Sequence, residues 1–115
     1  GDAKITSGFD LSANYIIHTV GPVWHGGNSN EEKLLESCYR NSLLIAENNN
    51  IRTIAFPNIS TGIYGYPKDM AAKVAIDSVQ EILLNNNAIQ EVIFVCFDED
   101  NYKLYQNILY PKEII

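Results

Sequence analysis

Apolar residues fall into two kinds of pattern along this chain, short unbroken runs and longer stretches at helical spacing, and the two kinds alternate. The runs are Tyr15-Ile16-Ile17-His18-Thr19-Val20, Thr53-Ile54-Ala55-Phe56 and Val92-Ile93-Phe94-Val95-Cys96-Phe97. Their β-branched and aromatic content, with few polar breaks, predicts strands buried on both faces of a covered sheet. Between the first two runs, Leu34, Leu35, Cys38, Ile45 and Ala46 recur at helical steps. Ser29 and Glu32 ahead of them are spaced as a capping box, so the helix is expected to start there and to end near Asn48-Asn49-Asn50. Pro67 suits the first turn of a second helix, which carries Ala72, Ala75, Ile76, Val79, Ile82 and Leu83 and closes at Asn85-Asn86-Asn87. A third helix is expected from about Asp98 to Leu109, because the helix dipole favours the acids Asp98, Glu99 and Asp100 in its first turn. Ahead of all these, Ala3-Lys4-Ile5-Thr6-Ser7-Gly8-Phe9 reads as a short edge strand turned by its Ser-Gly pair.

Strands alternating with helices indicate an α/β layered domain. No internal repeat or linker divides residues 1–115, which read as a single domain of a size that buries roughly two-thirds of its unfolded surface. Apolar residues are 46% of the chain and charged ones 19%, the balance of an ordinary globular protein. Fourteen acidic against eight basic side chains give a net charge of −6. That charge disfavours duplex nucleic acid, the more so because Lys33, Arg40, Arg52, Lys68 and Lys73 do not cluster. It does not exclude a small anion, which backbone amides bind without any basic side chain. Cys38 and Cys96 have neither disulfide nor zinc spacing and read as buried free thiols in a reducing compartment. With no membrane-length apolar stretch and no signal-peptide pattern at the start, the expected location is cytoplasmic. No metal or cofactor is implied.

In an α/β sheet, ligands bind beyond the carboxyl ends of the strands, and residues 58–66 occupy such a place. Gly62 and Gly65 permit unusual dihedrals and close approach, so successive amides can turn inward as an anion nest. Ser60 and Thr61 add hydroxyl donors, and Tyr64 and Tyr66 are positioned to wall a pocket. The string is neither a Walker loop nor GxGxxG, and the same residues also suit a plain strand-to-helix turn. His18, inside an apolar strand, reads as a hydrogen-bonded structural residue, and His25 as part of a surface loop. No catalytic residue is assigned, since no nucleophile and base stand in a defensible arrangement.

The string ISTGIYGYP, preceded by IAFPN, resembles the second ligand loop of macrodomains of the MacroD type. YIIHTVGPVWHGG at 15–27, CYRNSLLIA at 38–46 and VCFDEDNYKLY at 95–105 are similar to that family's strand and loop, next helix, and last strand and helix, in the same order. The resemblance implies a three-layer α/β/α sandwich with a mixed sheet that binds ADP-ribose, of which these residues form the C-terminal portion. It implies hydrolysis of ADP-ribosyl esters on proteins or of O-acetyl-ADP-ribose, with a non-catalytic ADP-ribose-recognition module as the alternative and a ligand-free structural fragment as the third. Ser60, Thr61, Gly62, Ile63 and Tyr64 are then the diphosphate and ribose contacts, and Phe97 the adenine stack.

The family pattern also holds an N-terminal part that these residues do not match: a strand with an adenine-contacting Asp, an Asn-Ala-Ala-Asn motif, and a glycine-rich loop whose Asp positions the attacking water. Without it, little hydrolase activity is expected. A strand position between 15–20 and 53–56 should then be left as a gap or as two exposed edges. Such edges invite rearrangement, self-association, or completion by a longer native chain.

Overall fold

A computed structural model describes residues 1–8, 14–86 and 88–111. Phe9 of the expected edge strand and Asn87 of the second Asn triplet lie outside the described residues. In chain order the elements are β1 (Ala3–Ser7), β2 (Tyr15–Thr19), α1 (Glu31–Asn48), β3 (Thr53–Phe56), α2 (Lys68–Leu84), β4 (Glu91–Phe94) and α3 (Glu99–Leu109). All seven expected elements form, but several ends differ from expectation for local reasons. The Ser29 and Glu32 capping box is absent: Asn30, in the left-handed region at φ 61°, caps α1 without its side chain. The Ser29 N–H is instead taken by the Glu31 carboxylate. Pro67 stands just outside α2 at φ −56° and ψ 127°. Asp98 is the cap of α3, its carboxylate accepting from the Asn101 N–H at 2.7 Å. The third run leaves its strand at Phe94, because β3 ends at Phe56 and Pro57 beyond it has no N–H to continue the ladder.

The strands form two pairs. β1 and β2 run antiparallel from Ala3↔Thr19 to Ser7↔Tyr15, while β3 and β4 run parallel from Thr53↔Glu91 to Phe56↔Phe94. Among the described residues the two pairs are not hydrogen-bonded to each other. Along β3, Ile54 and Phe56 are buried while Thr53 and Ala55 are exposed, and Val92 and Phe94 of β4 are better buried than Glu91 and Ile93. The expectation of strands buried on both faces is therefore not met for this pair. One face packs on helices and the other is open.

The packed face joins one core with Leu35, Tyr39, Leu43 and Ala46 of α1, with Ala72, Ala75, Ile76 and Val79 of α2, and with Tyr105 of α3. Rings form a continuous line across it. Tyr39 lies 5.0 Å from Phe56, Phe56 is 6.4 Å from Phe94, and Phe94 is 5.0 Å from Tyr105. At such spacings aromatic pairs add about 0.5–1.5 kcal/mol beyond the burial of their area. Burial pushes both tyrosine hydroxyls well above their ordinary range, so they stay protonated and hydrogen-bonded to each other.

The open edges of β2 and β3 border a trench of about 1340 Å³, lined by Ile16, Ile17, Val20, Ile54 and Phe56. The buried Ser42 hydroxyl of α1 also lines it and has no hydrogen-bond partner. The trench lies between the two strands where the family resemblance implies a gap.

Two leucines test the core assignment. Leu35 is 0% exposed, whereas Leu84, at the end of α2, is 83% exposed. In denaturant titrations Leu35→Ala should lower unfolding stability by about 2–5 kcal/mol. Leu84→Ala should change it by less than about 0.5 kcal/mol.

Candidate functional site

Because β3 and β4 are parallel, the segments that leave them, 57–67 and 95–98, emerge at the same end of the sheet. Side chains tie the two together. The Asn58 Nδ2 donates to the Cys96 Sγ at 3.6 Å, and the buried Asn101 donates from its Nδ2 to the Thr61 Oγ1 at 3.4 Å and to the Asp98 Oδ2 at 3.0 Å. Lys68 adds ion pairs to Asp98 at 3.5 Å and to Asp100 at 3.7 Å. Hydrogen bonds from the Asn101 N–H and side chain, with Lys68 nearby, hold the Asp98 carboxyl below its usual range. A third segment, following β2, joins from the other side. The Trp24 N–H donates to the Tyr64 carbonyl at 2.8 Å, and the Trp24 ring packs 4.7 Å from that of Tyr66.

Inside the 57–67 loop, the Thr61 N–H bonds to the Asn58 carbonyl, the Gly65 N–H to that of Gly62, and the Tyr66 N–H to that of Ser60. Gly65 makes the turn in the left-handed region at φ 73°. Gly62, the other glycine singled out in the sequence, is not at positive φ; Ser60 is, at φ 69°. The N–H groups of Gly62, Ile63 and Tyr64 donate to no protein acceptor among the described residues. Ile63 is fully exposed, Tyr64 partly exposed, and Phe97 80% exposed. Pro57 to Pro67 contains no Asp, Glu, His, Lys, Arg or Cys. Its only polar offers to a ligand are amides, carbonyls and hydroxyls.

Three sequence expectations change here. Tyr66 does not wall a pocket: at 2% exposure it belongs to the core against Trp24. The Thr61 hydroxyl faces inward, donating to the Asn58 carbonyl at 3.0 Å, so it braces the loop and does not reach outward. The Ser60 hydroxyl is buried without a partner and lies against Gly21. A Cβ on Gly21 would collide with the Ser60 Oγ and the Ile59 Cγ2. The readings of the two histidines hold. His18 hydrogen-bonds through Nε2 to the Thr6 Oγ1 at 2.8 Å across the β1–β2 pair, and His25 lies on an exposed loop. Cys38 is buried as expected, its thiol 3.4 Å from the Val20 carbonyl, but Cys96 is only half-buried, against the expectation of two buried thiols.

Glu31 was not singled out in the sequence. Its buried carboxylate accepts from the backbone N–H of His25 at 2.8 Å, of Gly27 at 2.9 Å and of Ser29 at 2.6 Å. These bonds, the one from His25 foremost, pull its pKa from 4.5 to about 2 against the opposing effect of burial. Gly26 and Gly27, at φ 92° and 91°, bend the loop around it. A glutamate just after a Gly-Gly pair at a helix start was the available signal, masked by the apparent capping box.

Two predictions follow from this geometry. Gly21→Ala should displace the 58–61 segment and destabilise the fold by about 1–3 kcal/mol. Adding Ser60→Gly, which removes one of the two collisions and the positive-φ serine, should recover part of that loss in a double-mutant cycle of melting data. A depressed carboxylate pKa contributes stability that is complete above about pH 4.5 and is lost as pH falls towards 2. Trp24, the only tryptophan, should therefore keep its native fluorescence through the ordinary glutamate range and lose it only under more acidic conditions.

Comparison with known proteins bears on the same residues. A family model described as Macro domain matches residues 1–75. A macro domain-containing protein of Chlorobaculum tepidum is 57% identical over 95% of this chain, which covers 63% of that relative. An O-acetyl-ADP-ribose deacetylase of Klebsiella pneumoniae is 51% identical over 96% of this chain and 65% of its own length. This chain thus spans a little under two-thirds of these relatives. Among solved structures, a variant of the Oceanobacillus iheyensis macrodomain with ADPR superposes with a TM-score of 0.87 at 42% identity, covering 94% of this chain and 57% of the other.

Proposed function

The chain belongs to the macro domain family, and we propose that it binds ADP-ribose, free or as the ADP-ribosyl group of a substrate, across the loops that follow β2, β3 and β4. The observation that carries this reading is the run of three consecutive unengaged N–H groups at Gly62, Ile63 and Tyr64. They lie on a loop braced from below by Thr61 and Asn101. Amides fixed in this way accept a diphosphate with no basic side chain, which suits a chain of net charge −6. Ser60 and Thr61 contribute their backbone and the shape of the turn, and Tyr64 borders the distal ribose. Phe97, exposed beside the cap of α3, offers a face to adenine.

For a polypeptide that carries this segment, the proposed activity is hydrolysis of an ADP-ribosyl ester, with O-acetyl-ADP-ribose as the model substrate. The name of the Klebsiella pneumoniae relative supports that choice. Residues 1–115 themselves supply the binding part: their loop holds no carboxylate to orient water. Isothermal calorimetry with ADP-ribose is the test. Phe97→Ala should weaken binding by about 1–3 kcal/mol. It should leave the melting temperature nearly unchanged, since Phe97 is 80% exposed. Binding of ADP-ribose by the variant as tight as by the parent chain would remove Phe97 from the site. Rapid ester turnover by residues 1–115 would place a water-positioning group within them.

The trench supports a second proposal, that this chain associates with itself through the β2 and β3 edges. Among the described residues neither edge pairs with a further strand, and the Ser42 hydroxyl between them lacks a partner. Sedimentation should report a species larger than one chain at micromolar concentration. A compact monomer with a cooperative melt would count against it.

A further inference from the structure

We propose that Glu31 is a positioning residue for the ligand loop, acting through Trp24, although it lies on a different element from every residue expected to touch the ligand. This inference rests on the reading that the 58–66 loop binds ADP-ribose. Glu31 is the first residue of α1, and its two carboxylate oxygens take three N–H groups from the preceding segment: Oε2 those of His25 and Gly27, Oε1 that of Ser29. The segment is thereby closed on an internal anion, and these amides are not available to an external one. Gly27, bent into the left-handed region, lies against the Trp24 ring: a Cβ there would stand 3.0 Å from the Trp24 Cη2. Trp24 in turn donates its N–H to the Tyr64 carbonyl at 2.8 Å and packs on Tyr66. Tyr66 closes the ligand loop by donating to the Ser60 carbonyl at 2.9 Å.

The connection therefore runs from Glu31 to the 25–29 segment, then to Trp24, and from there to both ends of the turn that exposes the Gly62, Ile63 and Tyr64 amides. Without the carboxylate, the N–H groups of His25, Gly27 and Ser29 lose their buried acceptor, and the segment has no other bond among those described to hold its shape. Two glycines at positive φ have many conformations to fall into. Trp24 would then no longer fix the Tyr64 carbonyl, and the three ligand-facing amides would lose their common direction.

The test uses Glu31→Gln, which keeps the shape but loses the charge and turns one acceptor into a donor aimed at N–H groups. Its readouts are Trp24 fluorescence with acrylamide quenching, ADP-ribose affinity by calorimetry, and circular dichroism for folding. The expected result is a folded protein whose Trp24 emission shifts to the red and is quenched more strongly, with ADP-ribose binding about tenfold weaker. Should Glu31→Gln fail to fold, Gly27→Ala disturbs the same segment with the carboxylate in place, and the same shift and loss are expected of it. Val79→Ala, a core change on α2 away from the segment, lowers stability for comparison and should leave the fluorescence and affinity of the folded protein as they were. A folded Glu31→Gln protein with parental quenching and affinity would overturn the proposal. So would equal changes in Val79→Ala, which would reduce Glu31 to a contributor to general stability. If the parent chain binds no ADP-ribose, the functional reading fails, and the fluorescence comparison still decides whether Glu31 holds Trp24.

Discussion

Parallel pairing of β3 with β4 governs where chemistry can occur in this molecule. With Phe56 opposite Phe94, both chains must leave the sheet at the same edge, so the glycine-containing turn and Phe97 become neighbours although more than thirty residues separate them. Pro57 ends the ladder there, and the line of rings from Tyr39 through Phe56 and Phe94 to Tyr105 anchors the pair to the helices. Everything beyond that edge is polar bracing. Thr61, Asp98 and Asn101 are joined through the Asn101 side chain, Thr61 also bonds to the Asn58 carbonyl, and the Asn58 side chain bonds to Cys96.

Electrostatics follow the same division. The molecule is acidic, and two of its cations are paired with carboxylates: Arg40 with Glu36 and Glu81, Lys68 with Asp98 and Asp100. Residues 57–67 carry no basic side chain, so attraction for an anion at that turn rests on peptide dipoles. The fold uses them for the internal carboxylate of Glu31, and the proposed site would use them again at the exposed turn of Gly62 to Tyr64. Binding through oriented amides depends less on salt than binding through surface lysines, because the donors are fixed and short-ranged.

Much of this was legible in the sequence and the remainder had physical reasons to be hidden. Apolar runs and helical spacing located five of the seven elements, being local properties, while the acids of its first turn marked α3 and the Ser-Gly pair marked β1. The string from Ile59 to Pro67 marked the turn and its family. What escaped was the direction of side chains. Nothing local says that the Ser60 hydroxyl turns towards Gly21, that Tyr66 is core while Tyr64 is rim, or that Glu31 and not Glu32 reaches back over the preceding loop. Each depends on a neighbour distant in the chain or on one unusual dihedral. The open face of β3 and β4 was misjudged for a related reason: an apolar run reports that a strand suits burial, not that a layer is present to bury it.

Ser60 sits in a conformation that non-glycine residues seldom adopt, wedged against Gly21 with its hydroxyl unsatisfied. Strain of that kind is met once, when the chain folds, and the turn is then held in place before any ligand arrives. The conformational entropy that a flexible glycine loop would lose on binding has already been lost. Association should therefore carry little ordering penalty and show an enthalpic signature, with the loop amides as rigid without ligand as with it.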